Sequence, residues 1–217
     1  MQRAYLHGFA SGPLSKKGQR LRAAFEEAGL ALRLPDLNVP SFERLSLTAM
    51  LDALDALDAA EGDAEGWGLV GSSLGGWLAA RWAERRPARV ARLLLLCPAF
   101  DLAARWPSLL PPGAMRTWER SGALILPDGA GTPRPVHYRF YEEAREQPAL
   151  PEVTCETRIV HGTRDERVPV EGSRHYAAAR PHVTLVEVDD VHDLLASQDR
   201  VVEEALAWLG PGPDATD

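Results

Sequence analysis

Cysteine, lysine and long apolar runs are all scarce in this chain. Its 217 residues include 2 cysteines, Cys97 and Cys155, too few for a disulfide scaffold and without the spacing of a metal-ligand pair. A reducing, cytoplasmic setting is expected, with both thiols acting as small buried apolar side chains. No stretch approaches the roughly twenty apolar residues that cross a bilayer. The opening Met1-Gln2-Arg3-Ala4-Tyr5-Leu6-His7-Gly8 lacks the apolar core and cleavage site of a leader. Apart from Lys16 and Lys17 the basic residues are arginines, scattered through a chain of net charge −7. No basic block is left to hold nucleic acid.

What is present is core material: 45% of the residues are hydrophobic, ample for one domain of this length. That domain is expected over residues 1–210. Gly210-Pro211-Gly212-Pro213 ends the last helix, and residues 211–217 are expected to form a disordered tail. No internal repeat is visible.

Apolar, β-rich runs alternate with helical patterns, which implies βαβ units and a mainly parallel sheet of about six strands flanked by helices. The expected strands are Arg3–His7, Ala31–Pro35, Trp67–Gly71, Val90–Cys97, Thr157–His161 and Val183–Val188. Leu21, Ala24, Phe25 and Ala28 form one helical stripe, and Leu47, Met50, Leu51, Leu54 and Leu57 another. Further helices are expected over Leu74–Arg86, Val170–Ala179 and Leu194–Leu209. Residues 101–152 interrupt this alternation. They are rich in proline, yet they carry Trp106, Trp118, Tyr138, Phe140 and Tyr141, too many aromatics for a disordered linker. A cap packed back over the sheet is expected there, with a turn at Pro127-Asp128-Gly129 and a helix near Tyr138–Glu146.

The stretch Gly71-Ser72-Ser73-Leu74-Gly75 joins an expected strand to an expected helix. Glycines at both ends of Gly-x-Ser-x-Gly let the two elements cross closely, with the central residue strained at the apex. Ser73 occupies that apex; Ser72 does not. A serine hydroxyl is a weak nucleophile without a base to take its proton and a third group to hold that base. In open parallel sheets such partners gather at the carboxyl ends of strands. Three stretches qualify: His7-Gly8-Phe9-Ala10, His161-Gly162-Thr163-Arg164-Asp165, and Asp189-Asp190-Val191-His192-Asp193. Ser73, Asp165 and His192 follow the Ser…Asp…His order of one hydrolase architecture. Asp101, after the fourth expected strand, is the alternative acid. His7 and His161, each preceding a glycine, are expected to shape turns.

Taken together, "YLHGFASGPLSKKG", "GSSLGG", "CPAF", "HGTRDERVP" and "VHD" resemble the corresponding segments of small α/β-hydrolases, and the YqiA-like esterases in particular. The resemblance spans most of the chain outside residues 101–152. It implies an α/β-hydrolase fold, a Ser73–His192–Asp165 triad, an oxyanion hole from the backbone amides of Phe9 and Leu74, and esterase-type hydrolysis without metal or organic cofactor. A small-molecule ester is the expected partner. Thioesterase or small-amide hydrolysis is the alternative chemistry, and a non-catalytic binding protein on the same fold is the alternative class. Trp118 and Tyr141 of the cap are expected to border the substrate, with short acyl chains preferred.

Overall fold

The computed structural model describes residues 1–62 and 66–210; the expected tail at 211–217 lies outside them. Five parallel strands form the sheet in the order β1-β2-β3-β6-β7: β1 (Gln2–Leu6), β2 (Trp67–Ser72), β3 (Val90–Leu96), β6 (Glu156–Gly162) and β7 (Val183–Val188). Successive residues point to opposite faces, and the sequence exploits this by making both faces apolar. Leu69, Leu93, Leu95 and Ile159 pack in one core cluster, while Val70, Leu94, Leu96 and Val160 pack in the other. The first is covered by α2 (Leu47–Glu61) and α3 (Leu74–Arg85), the second by α1 (Lys16–Glu27) and α8 (Gln198–Leu209). A short helix α7 (Glu171–Ala178) precedes β7.

The expected strand at Ala31–Pro35 does not form. Arg33 makes a single bridge to Ala4, with Tyr5 N donating to Arg33 O at 2.8 Å and Arg33 N to Arg3 O at 2.9 Å. Pro35 carries no N–H with which to extend the ladder, so five strands replace the expected six or so.

Residues 101–152 fold into α4 (Leu102–Leu109), α5 (Ala114–Ser121), an antiparallel hairpin of β4 (Ala123–Pro127) and β5 (Pro133–His137), and α6 (Arg139–Arg145). The hairpin turns on Asp128, whose Oδ1 accepts from the Ala130 and Thr132 amides at 2.9 Å each. Aromatic rings tie the insertion to the sheet: Phe9 lies 5.2 Å from Trp106 and 5.9 Å from Phe140, and Trp106 lies 5.2 Å from Trp118. Trp118 is 0% exposed and its Nε1 donates to Val136 O at 2.8 Å. Trp118→Ala is therefore expected to cost about 3–5 kcal/mol of stability, the usual loss for emptying a buried aromatic site. A fall in the urea midpoint with unchanged slope would show it.

Among the described residues no helix is long and apolar enough to cross a membrane.

Candidate active site

The crossing of β2 and α3 explains both elbow glycines. A Cβ on Gly71 would come within 2.4 Å of Gly75 O, and one on Gly75 within 2.1 Å of Leu6 O. Between them Ser73 has φ 54° and ψ −116°, a backbone region that side-chain-bearing residues rarely adopt. Hydrogen bonds impose it. Ser73 N donates to Leu96 O at 2.9 Å, and Ser73 O accepts from the amides of Gly76, Trp77 and Ala99.

The Ser73 hydroxyl lies 3.0 Å from His192 Nε2, and His192 Nδ1 lies 2.7 Å from Asp165 Oδ2. These residues arrive from three strand ends, after β2, β6 and β7. Since the carboxylate accepts only, His192 carries a proton on Nδ1, which leaves Nε2 of the neutral ring free to accept from Ser73. Asp165 is buried, and its Oδ1 accepts from the amides of Arg167 and Val168 at 2.9 Å each. Burial alone would raise this carboxyl, but hydrogen bonds from His161, His192 and the Val168 amide outweigh it and hold Asp165 well below the ordinary carboxylate range. The histidine loop is itself anchored by Asp190, which accepts from the amides of Val191 at 2.7 Å and Ser197 at 2.8 Å.

Phe9 and Leu74 line the same cavity as Ser73 and His192. Neither backbone amide has an acceptor among the described residues. The loop carrying Phe9 is pinned by buried His7, whose Nε2 accepts from Leu37 N at 2.9 Å while Nδ1 donates to Gly8 O at 2.9 Å. Gly8 in turn sits so close that a Cβ there would lie 3.3 Å from Ser73 Cβ.

The cavity holds about 510 Å³. Leu102, Trp106, Leu109 and Leu126 of the insertion give it apolar walls, with Phe9 and Val168. Trp118 and Tyr141 do not border it, contrary to expectation. Trp106 lines the cavity and meets Trp118 at 5.2 Å, and Tyr141 packs 6.0 Å from Trp118 and 5.5 Å from Tyr138. The spacing of aromatics along the chain marks a packed segment without showing which ring forms the outer layer. Asp101, the alternative acid, begins α4 and borders a separate cleft beside Trp77 and Pro148.

Comparison with known proteins gives the lineage. The pattern of an Uncharacterised protein family (UPF0227) matches residues 3–207, nearly the whole chain. The chain belongs to the UPF0227 family. The mouse palmitoyl-protein thioesterase ABHD10, mitochondrial, is 33% identical over 154 residues, 63% of this chain and 52% of that protein. The UPF0227 chain thus spans about half the length of the curated relatives that lead its matches. The solved structure of alpha/beta hydrolase domain-containing protein 10 from mouse superposes with a TM-score of 0.72 at 26% identity, covering 93% of this chain and 86% of that one. The pimeloyl-[acyl-carrier protein] methyl ester esterase of Chromobacterium violaceum is 25% identical over 201 residues, 77% of each chain. The UPF0227 protein has the α/β-hydrolase fold, as its motifs imply.

Two features of the UPF0227 site were not visible in its sequence. His161 is 0% exposed, and its Nε2 lies 2.7 Å from Val168 O and 3.2 Å from Asp165 Oδ2. Because Val168 O only accepts, Nε2 carries the proton and Nδ1 accepts from Ser173 at 2.8 Å. His161 therefore braces Asp165 rather than merely shaping a turn. Cys97 lies beside the same carboxylate: ligand-type atoms of Cys97, Asp165 and His192 fall within 4.8 Å of one another. Burial pushes the Cys97 thiol up to about 12, so it stays protonated, while both nitrogens of His192 face Asp165 and Ser73.

Proposed function

We propose that this UPF0227 protein is a serine hydrolase that cleaves carboxylic esters through an acyl-enzyme. The observation that carries this reading is the unbroken chain of contacts from Asp165 through His192 to Ser73, at 2.7 and 3.0 Å. His192 Nε2 takes the Ser73 proton as Oγ attacks the ester carbonyl. The carbonyl π pair moves to oxygen, where the amides of Phe9 and Leu74 supply the acceptor-free donors. Loss of one such donor costs on the order of 3 kcal/mol in comparable sites. Collapse of the tetrahedral species expels the alkoxide, which takes the proton from His192, and water repeats the sequence to release the acid. No metal or organic cofactor enters these steps. The domain is residues 1–210 with residues 101–152 as its cap, and the free cysteines suit a reducing cytoplasm.

Thioester cleavage uses the same steps with a thiolate leaving group, and the name of the mouse relative favours it as the second reading. A fluorophosphonate probe and a panel of esters and thioesters of graded acyl length, with Ser73→Ala as blank, test both. A cavity within the range of about 300–1,000 Å³ that encloses small ligands leads us to expect acyl chains up to roughly six carbons to be preferred. Trp106→Ala, which enlarges the wall, is expected to move the optimum to longer chains. A wild-type optimum at palmitoyl length would overturn the short-acyl reading.

A further inference from the structure

We infer that this site takes esters carrying an anionic group, a carboxylate or phosphate, held by Lys17 of α1 and by Arg105 and Trp106 of α4. All three residues line the cavity that holds Ser73 and His192. Arginines elsewhere commonly meet a carboxylate, as Arg158 meets Glu204, Arg174 meets Glu187 and Arg89 meets Asp58. Neither Lys17 nor Arg105 has a carboxylate within 4.0 Å among the described residues. On α4 the lack of partners is more acute: Arg105 Nε and Trp106 Nε1 are both buried with no hydrogen-bond acceptor. Unpaired buried donors are costly; Arg158 Nε and Arg180 Nε share this state away from the cavity, but only Arg105 and Trp106 also line it, adjacent on one helix, where a side-chain shift would bring both donors to a ligand that carries acceptors.

Lys17 points the same way. It is one of only two lysines in the chain, and it occupies the first turn of α1, where the helix dipole disfavours a cation and the turn itself carries no acidic residue, although Asp165, Asp190 and Asp193 of neighbouring loops favour its charge. Its Nζ donates to Ser72 Oγ at 3.1 Å, which fixes the ammonium beside the nucleophile. This also gives Ser72, the other serine of the elbow, a role. Among the described residues that line the cavity the one acidic residue is Asp193, which accepts from the Leu195 amide at 3.2 Å. With Arg167 also on the wall, the lining is apolar with a net excess of positive charge, and such a lining selects anionic over neutral ligands of equal shape.

This inference takes the ligand's ester from the hydrolase reading, but its test runs without turnover, so the two fail separately. In the Ser73→Ala protein, calorimetry compares two pairs: the monomethyl and dimethyl esters of adipic acid, and the butyryl esters of glycerol phosphate and glycerol. The anionic member of at least one pair is expected to bind about tenfold tighter, the worth of one charge-assisted hydrogen bond. The adipate pair reports an anion on the acyl side, and the glycerol pair one on the alcohol side. Adding Lys17→Met or Arg105→Gln is expected to bring each preference close to parity, while Lys17→Arg retains it. Equal binding within both pairs, or a preference that survives both charge-removing substitutions, would overturn the inference. Failure of the unaltered protein to take up a fluorophosphonate at Ser73 would instead sink the hydrolase reading.

Discussion

Ser73→Ala is expected to lower ester turnover by about 10⁶-fold, the loss seen when the nucleophile of a serine triad is removed, with no loss of stability. Turnover falls because, among the described residues, it is Ser73 Oγ that faces His192 Nε2, at 3.0 Å, while the neighbouring Ser72 hydroxyl faces Lys17. Stability holds because the strain at φ 54° belongs to any residue with a Cβ, and the bonds that impose it come from the Ser73 backbone. Glycine in place of Ser73 relieves that strain, so Ser73→Gly is expected to melt higher than Ser73→Ala while remaining as inactive. Ser72→Ala serves as the internal control: it unties Lys17 and leaves the triad contacts in place, so its loss is expected to be far smaller. Steady-state rates and melting curves of the three variants decide the matter. A Ser72→Ala loss as large as that of Ser73→Ala would place the nucleophile one residue earlier.

The elbow could be read from the sequence because its glycines answer a steric demand that almost any side chain would violate, at Gly71 against Gly75 O and at Gly75 against Leu6 O. The five sheet strands were legible for a similar reason, since continuous apolar runs such as Leu93–Leu96 leave no polar face for solvent. Where proline intrudes, the signal fails. Ala31–Pro35 has strand composition but ends in a residue that cannot donate to a ladder, and it forms one bridge. The β4–β5 hairpin errs in the other direction: Pro127, Pro133 and Pro135 mask it, and a two-stranded ribbon tolerates them because each strand has one unpaired edge. Depth was equally hidden. Trp106 and Trp118 are alike in sequence, yet only Trp106 meets the cavity. The support that His161 gives Asp165 across the Val168 turn depends on the chain doubling back between β6 and α7, which no local pattern announces.

On the proposed reading, Asp165→Asn is expected to cut turnover by about 10⁴-fold, the effect of the same exchange in a characterised serine triad, and the contacts of Asp165 give the reason. Asp165 Oδ1 accepts two backbone amides, from Arg167 and Val168. An asparagine must place its carbonyl oxygen there, because an NH₂ group cannot face two donors. Its NH₂ then occupies the Oδ2 position and points at His192 Nδ1. The imidazole must accept at Nδ1 and carry its proton on Nε2, toward Ser73, in the tautomer that cannot take the hydroxyl proton. His161, whose Nε2–H already lies 3.2 Å from Oδ2, adds a donor facing a donor. Asp101→Asn is expected to change little by comparison, since Asp101 caps no amide with its side chain and borders a different cleft. A stability signature accompanies the kinetic one. The folded carboxyl of Asp165 lies below its unfolded value near 3.8, so its contribution is complete above that pH and is lost as pH falls toward the folded value. Urea midpoints from pH 7 to pH 3 are therefore expected to drop more steeply below about pH 4 in the wild type than in Asp165→Asn, which has no proton to bind there. Parallel acid limbs would mean that the carboxylate draws no net stability from its histidines. If Asp101→Asn were the crippling change, the acid would have to reach His192 from the end of β3, and Asp165 would be left as the anchor of the turn that begins α7.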